Sequence, residues 1–583
     1  VEKTKNKGSL KRNFLPCIKG YTFQTIITPI LMVGEVILEV IIPLMMAKAL
    51  NNIQSGNPQI PYLIDIGLKM VAIALGSLLC GMLAARFASV SAVGFAKNLR
   101  KKVFYRVQDF SFANIDTFST ASLVTRSTTD ITNIQSMFMQ FIRMIIRAPL
   151  MFILATAMAF SLDPELALVF VVVIPILFVF IMIIQKKAFP RFQRMMKSFD
   201  GLNADVQENL IGIRVVKSFV REDYERAKFF ERAEEVTKAQ ISAEKLIVFV
   251  MPVMQLIMQL SKLAITGIGG GFLLNGKIEV GDLTAMISYA VQILNSLLML
   301  AMLAVTFIMS KASVSRINEI LETTPDITSP ESDVTVTDGS IEFRNVGFTY
   351  SKQNENLVLA DINLKIRSGE TVGIIAGTGG GKSTLVQLIP RLYDVSQGEI
   401  CVGGQNVKNY SLKNLRDGVA MVLQKNVLFS GTIKENLLWG NENATDEDIF
   451  EACRQAQADA FIRSFPDGYE TVLGQGGVNV SGGQKQRLCI ARALIKKPKI
   501  LILDDSTSAV DTMTDSKIRE AFKNSLPDTT KLIIAQRVAS IMESDKIIVM
   551  DEGKIVDVGN HNELINRCSI YKEVYESQVS EVK

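Results

Sequence analysis

The sequence predicts a multi-domain membrane protein: an all-α domain of six membrane-crossing helices with long cytoplasmic stalks, followed by an α/β domain. Three observations predict it. Six apolar runs occupy the first half of the chain, each long enough to cross a hydrocarbon core about 30 Å thick. A Pro/Ser/Thr/Asp-rich stretch at 322–340 then breaks the composition. Beyond it, short β-branched runs alternate with helix-like segments around a glycine-rich turn, the pattern of a largely parallel sheet covered by helices.

The 583 residues, 48% of them hydrophobic, exceed one compact domain. They divide into a polar segment 1–21, a membrane domain 22–321, the linker 322–340 and a second domain 341–583. The first twenty residues are too polar for a secretory signal peptide. The apolar runs are roughly 22–50, 66–91, 138–160, 164–185, 245–274 and 283–309. "LALVFVVVIPILFVFIMII" has no polar face, which excludes an ordinary amphipathic helix of a soluble core. Runs three and four, and five and six, are joined by short turns. Runs two and three, and four and five, are separated by long charged stalks. Lys97, Arg100, Lys101, Lys102 and Arg106 mark one stalk, and Lys186, Lys187, Arg191 and Arg194 the other. The positive-inside bias places the stalks and both termini in the cytoplasm.

A net charge of +5 is small for this length and argues against a nucleic-acid partner. Basic loops at an anionic membrane face account for it. Six scattered cysteines without a CxxC pair suit reduced thiols, and the single histidine, His561, excludes a multi-histidine metal centre.

The strand "ETVGIIA" runs into "AGTGGGKST", comprising Ala376, Gly377, Thr378, Gly379, Gly380, Gly381, Lys382, Ser383 and Thr384, and then into a helix pattern. Backbone N–H groups of such a loop cradle phosphate oxygens. Lys382 would reach the β/γ-phosphates and the Ser383 hydroxyl would bind Mg²⁺, which makes ATP with Mg²⁺ the expected cofactor. Ala376 departs from the motif, whose first position is glycine. "KILILDD" ends an apolar strand in two acids, of which Asp504 would hold the metal. Between the two lies "VSGGQKQR", where Ser481, Gly482 and Gly483 precede a helix and form a second phosphate-binding start.

These motifs, in this order, resemble those of a half-transporter of the ABC exporter superfamily, a six-helix domain fused to one P-loop ATPase domain. The resemblance covers nearly the whole chain. It implies that Tyr350 stacks on adenine and that Gln424 senses Mg²⁺ and the stalks. It assigns Ser481, Gly482, Gly483 and Gln484 to the signature motif and Asp511 to the D-loop. Gln475 in "GQGG" stands where the family usually has a glutamate. In the family two such domains clamp each ATP between one chain's P-loop and the other's signature. Stalk ends near 112–123 and 208–219 would dock on the ATPase domains.

Two positions depart from the family together. The residue that normally polarises the attacking water is a glutamate, here Asp505, shorter by one methylene. The switch histidine is Gln536, which donates a hydrogen bond but carries no proton. An offset of about 1 Å can cost on the order of 100-fold in rate. With its signature intact, the chain therefore resembles the degenerate-site subunit of bacterial heterodimeric multidrug-type exporters. The expected partners are a second half-transporter with Glu and His at those positions, membrane lipids and a small amphipathic or hydrophobic substrate. The expected location is a bacterial cell membrane. A slow homodimeric exporter of lipid or peptide, and an ATP-gated channel or regulator, are the alternatives.

Glu35 and Glu39 lie four apart inside the first apolar run, on one helix face. A carboxylate there needs a cavity or a partner. The two are candidates for a substrate cavity or for ion pairs with Arg143 and Arg147.

Overall fold

The structure, a computed structural model, describes residues 11–55, 59–350, 357–506 and 510–580. It divides into two compact units, one formed by 1–108 with 119–323, the other by 109–118 with 324–583.

Among the described residues the first unit holds six helices long and apolar enough to cross a membrane: Thr22–Gln54, Ile60–Gln108, Thr120–Leu162, Pro164–Ile211, Glu222–Leu274 and Val280–Glu322. Each outlasts its apolar run, and the fourth continues through Pro190 in its charged stalk to Ile211. The third contains a five-residue π turn at Arg126–Asp130. Its buried Asp130 accepts from Ser313 at 2.8 Å and from Arg316 Nε at 2.7 Å, which ties the third helix to the sixth.

The short turns carry their own stop and start signals. Asp163 caps the fourth helix, its side chain accepting from the Leu166 N–H at 2.7 Å, and Pro164 follows where a missing N–H costs nothing. At the start of the sixth helix Asn51 of the first accepts from the Gly281 N–H at 2.7 Å. A side chain at 281 would collide with the Ala47 carbonyl, so this close crossing requires glycine. The core between the first, third, fourth and sixth helices is built from Val36, Val40, Ala155, Phe170 and Tyr289. The buried Tyr289 hydroxyl is satisfied by donating to the Val40 carbonyl at 2.9 Å.

In the second unit a six-stranded sheet runs, in spatial order, through the strands at 554–559, 546–551, 371–376, 530–534, 500–504 and 419–422. Its strands are β3 Thr371–Ala376, β6 Val419–Val422, β9 Ile500–Asp504, β10 Thr530–Ile534, β11 Lys546–Asp551 and β12 Lys554–Gly559. All neighbours are parallel except β11 and β12. β9 and β10 are buried at every residue, as parallel strands covered on both faces are. A second, antiparallel sheet joins β1 Ile341–Phe348, β2 Leu359–Ile366, β4 Gln397–Val402 and the short β5 Gln405–Asn406, and a two-stranded ribbon pairs β7 Gly431–Thr432 with β8 Val472–Leu473.

Register places the ends of three strands together. Ile374 of β3 lies opposite Ile534 of β10, which lies opposite Asp504 of β9. The crevice beyond the carboxyl ends of parallel strands is where such sheets bind ligands.

Candidate functional site

Three chain segments leave those strand ends side by side: the glycine loop after β3, Asp505 after β9 and Gln536 after β10. The loop is shaped by Gly379 and Gly381, at φ +81° and +84°, a left-handed path that side chains resist. Gly377, Thr378 and Gly379 are exposed to solvent. Ala376 explains a further glycine. A Cβ added at Gly380 would lie 2.7 Å from the Ala376 Cβ, so the extra methyl at 376 fits only because 380 has none.

The helix Lys382–Gln387 starts directly after this loop. Lys382 curls back, Nζ donating to the carbonyls of Ala376 at 2.7 Å and Gly377 at 3.0 Å. Burial pushes its ammonium below the usual lysine range, against the pull of Asp505 and Asp504. Ser383 donates to the buried Asp504 carboxylate at 2.9 Å. Burial raises the Asp504 carboxyl, opposed by the Ser383 bond. Two hard oxygen ligands, the Ser383 hydroxyl and the desolvated Asp504 carboxylate, suit Mg²⁺, which takes few protein ligands and completes its shell with phosphate and water. The residues present therefore fit a magnesium nucleotide.

Asp505 sits at φ +49°, a left-handed backbone that aspartate tolerates better than most residues, with its N–H bonded to the Ile534 carbonyl at 3.1 Å. Gln536 Nε2 donates to Asp505 Oδ2 at 2.8 Å. Gln424, on the bend after β6, hydrogen-bonds the same carboxylate. Burial raises the Asp505 carboxyl, and these two amide bonds oppose the rise. Glutamine thus holds this carboxylate from two sides, and neither amide can take a proton from it.

Tyr350 ends the strand region after β1, half-exposed, with its hydroxyl 2.9 Å from Thr384 Oγ1. Its ring meets Tyr393 edge-on at 5.2 Å. Tyr393 donates to Asp116 at 2.6 Å, a residue of the short helix Phe112–Thr117. This short helix lies inside the segment 112–123 expected to dock on the ATPase domain, although the sequence does not single out Tyr393 as what it meets.

Ser481 and Gln484 form a capping box on the fourteen-residue helix Gly482–Ile495, Gln484 Oε1 accepting from the Ser481 N–H at 2.9 Å. The Gly483 carbonyl accepts from Arg487 at 3.3 Å. Asp511 caps the helix Thr512–Ser525, accepting from the Thr514 N–H at 2.9 Å. Ser481 with Gln484, and Asp511, thus each fix the start of a helix.

In the first unit Glu35 and Glu39 share one partner. Arg147 meets Glu35 Oε1 and Glu39 Oε1, each at 3.0 Å. Of the two arginines considered from sequence, the structure chooses Arg147 as the bridge.

Residues 25–297 match the ABC transporter transmembrane region and residues 359–508 the ABC transporter ATPase domain. An uncharacterised ABC transporter ATP-binding protein of Bacillus subtilis, YfiB, is 38% identical over 567 residues, 97% of this chain and 98% of its own. A putative multidrug export ATP-binding/permease protein of the same organism, YgaD, is 32% identical over 582 residues, 98% of this chain and 99% of its own. A solved bacterial Atm1-family ABC exporter with ATP bound superimposes with a TM-score of 0.82 at 25% identity, over 95% of this chain and 98% of that one. With six spanning helices and a P-loop ATPase domain in a single polypeptide, the chain belongs to the ABC transporter family and has the architecture of a half-transporter.

Proposed function

We propose that the chain is one half of a heterodimeric exporter and supplies the degenerate ATP site together with the signature of the competent one. The observation that carries this reading is the Gln536–Asp505 bond of 2.8 Å at the ends of β10 and β9. The base that should polarise water is one methylene short and held by an amide without a transferable proton. Triphosphate would lie along the backbone amides of 376–384, with Lys382 turning from its own carbonyls to the phosphates. Ser383 and Asp504, with Gln424, would hold Mg²⁺, which neutralises phosphate charge when bound. Tyr350 would stack on the base. Such a site binds ATP well and hydrolyses it slowly.

Ser481, Gly482, Gly483 and Gln484 keep the form of a helix start that can face a phosphate, and Asp511 would lie beside it across the dimer. They would complete the partner's P-loop. Exposed Ile211, Phe219 and Val220, at the tip between the fourth and fifth helices, are 79%, 73% and 80% accessible and support a covering partner. The stalks and both termini would face the cytoplasm of a bacterial cell. The cargo would be small and amphipathic or hydrophobic, a reading supported by the multidrug-export description of the YgaD relative.

The test is a pair of substitutions in the purified dimer, with ATP turnover measured. Ser481→Arg should remove most turnover. Lys382→Ala should leave a substantial part. The reverse pattern would overturn the assignment of sites. ATP-driven accumulation of a fluorescent amphipath in inside-out vesicles tests export, and passive equilibration with ATP merely bound would favour a channel.

A further inference from the structure

The paired carboxylates of the first helix lie in unusual surroundings. One guanidinium, Arg147, serves both. Glu35 is only 7% exposed, yet its second oxygen, Oε2, is buried with no hydrogen-bond partner among the described residues. Gln292 of the sixth helix reaches the same turn, donating through Nε2 to the Glu39 carbonyl at 3.3 Å, while its Oε1 is also buried and unpartnered. Arg143, within electrostatic reach of Glu35, has a buried Nε without a partner among the described residues. Gly81 of the second helix closes the far side. A methyl at 81 would stand 3.3 Å from the Glu35 carboxylate.

A buried carboxylate oxygen left unpaired is costly, and natural interiors satisfy nearly all such groups. The unused inventory here is two acceptors, one of them charged, against one donor. That inventory complements a donor-rich cation. We propose that Glu35 and Gln292 bind the ammonium head of an amphipathic amine, with the Glu39 carboxylate adding negative charge beside them and Arg147 holding the two carboxylates in place throughout. The ammonium donates to Glu35 Oε2 and Gln292 Oε1, while Arg147 keeps its bonds to Glu35 Oε1 and Glu39. The apolar tail of the amine lies along the surrounding helices. This rests on the transport reading above and names the chemical class of the cargo.

The test uses the full-length chain with its companion in phosphatidylcholine nanodiscs, without nucleotide. Binding of dansylcadaverine, a fluorescent primary amine protonated at neutral pH, is compared with that of its N-acetyl derivative, which keeps the apolar body and loses the charge. The wild type should prefer the amine by about tenfold. Glu35→Gln and Glu39→Gln should each bring the ratio toward one, and Gly81→Ala should lower it by crowding the carboxylate. Retained binding of a fluorescent ATP analogue reports that each variant is folded. Should Glu35→Gln fail to fold, the half-exposed Glu39 and the wild-type ratio still decide. Equal binding of amine and acetyl amine to the wild type would overturn the proposal. So would a ratio unchanged in the glutamine variants, the result expected if the cluster only braces helices. Competition by added phosphatidylethanolamine would support the site and name a lipid headgroup as the source of the amine. No competition, with the amine preference intact, would support a soluble one. Flat binding alongside ATP-driven uptake sinks this site alone, whereas amine binding without uptake sinks the transport reading alone.

Discussion

The two corners of the nucleotide site differ in kind. The phosphate corner, from Ala376 to Ser383, keeps the backbone path, the lysine and the metal-suited hydroxyl, and even absorbs a wrong residue at 376 by leaving 380 bare. The water corner, Asp505 and Gln536, keeps a hydrogen bond of 2.8 Å, but Gln536 cannot take up a proton and Asp505 is one methylene shorter than a glutamate. On the reading proposed above, the difference teaches that holding a triphosphate and splitting it draw on separable sets of atoms. Backbone amides and one ammonium do the first, and a carboxylate of correct reach does the second.

The comparison breaks most sharply at Lys382. Removing its ammonium in Lys382→Ala should weaken ATP binding at this site by about 100-fold, roughly 3 kcal/mol. A fluorescent-nucleotide titration that found wild-type affinity would break the link between this loop and the phosphates. Next is repair of the water corner. Asp505→Glu together with Gln536→His should raise hydrolysis at this P-loop by on the order of 100-fold while leaving affinity unchanged. No gain in single-turnover rate would mean that the two residues are not what slows the site.

A smaller effect sharpens the account of the loop itself. Gly380→Ala should cost about tenfold in ATP affinity through overpacking against Ala376, and Ala376→Gly in the same chain should recover most of it. Unchanged affinity in the single variant would deny that the two positions are coupled. Smallest is Tyr393→Phe, which removes the 2.6 Å bond to Asp116. Because Asp116 is exposed, the loss should be about 1 kcal/mol, read as a lowered midpoint of thermal unfolding. A loss several times larger would show that this bond is more than local.

Much of this was legible in the sequence because its signals are local. A run such as 164–185 without a polar face can only be membrane or deep core, and glycine, lysine and serine at fixed spacing after a strand describe a phosphate loop within nine residues. The reach of the helices was less legible. Ile60–Gln108 extends well past its apolar run because polar residues neither propagate nor break a helix visibly. Contacts that join distant segments left no local trace. Glu35 and Glu39 announce a need for a partner, but choosing Arg147 over Arg143 depends on how the first and third helices cross. Gln292, Gly81 and Tyr393 enter only through packing.

On the proposed reading, this chain's P-loop retains ATP and splits it far more slowly than the partner's site does. The most direct measurement is the chemical identity of the nucleotide bound there after many turnovers of the dimer on radiolabelled ATP. Nucleotide crosslinked to the loop around Lys382 should be recovered as ATP. Recovery chiefly as ADP, with phosphate released at the rate of the partner's site, would contradict the account.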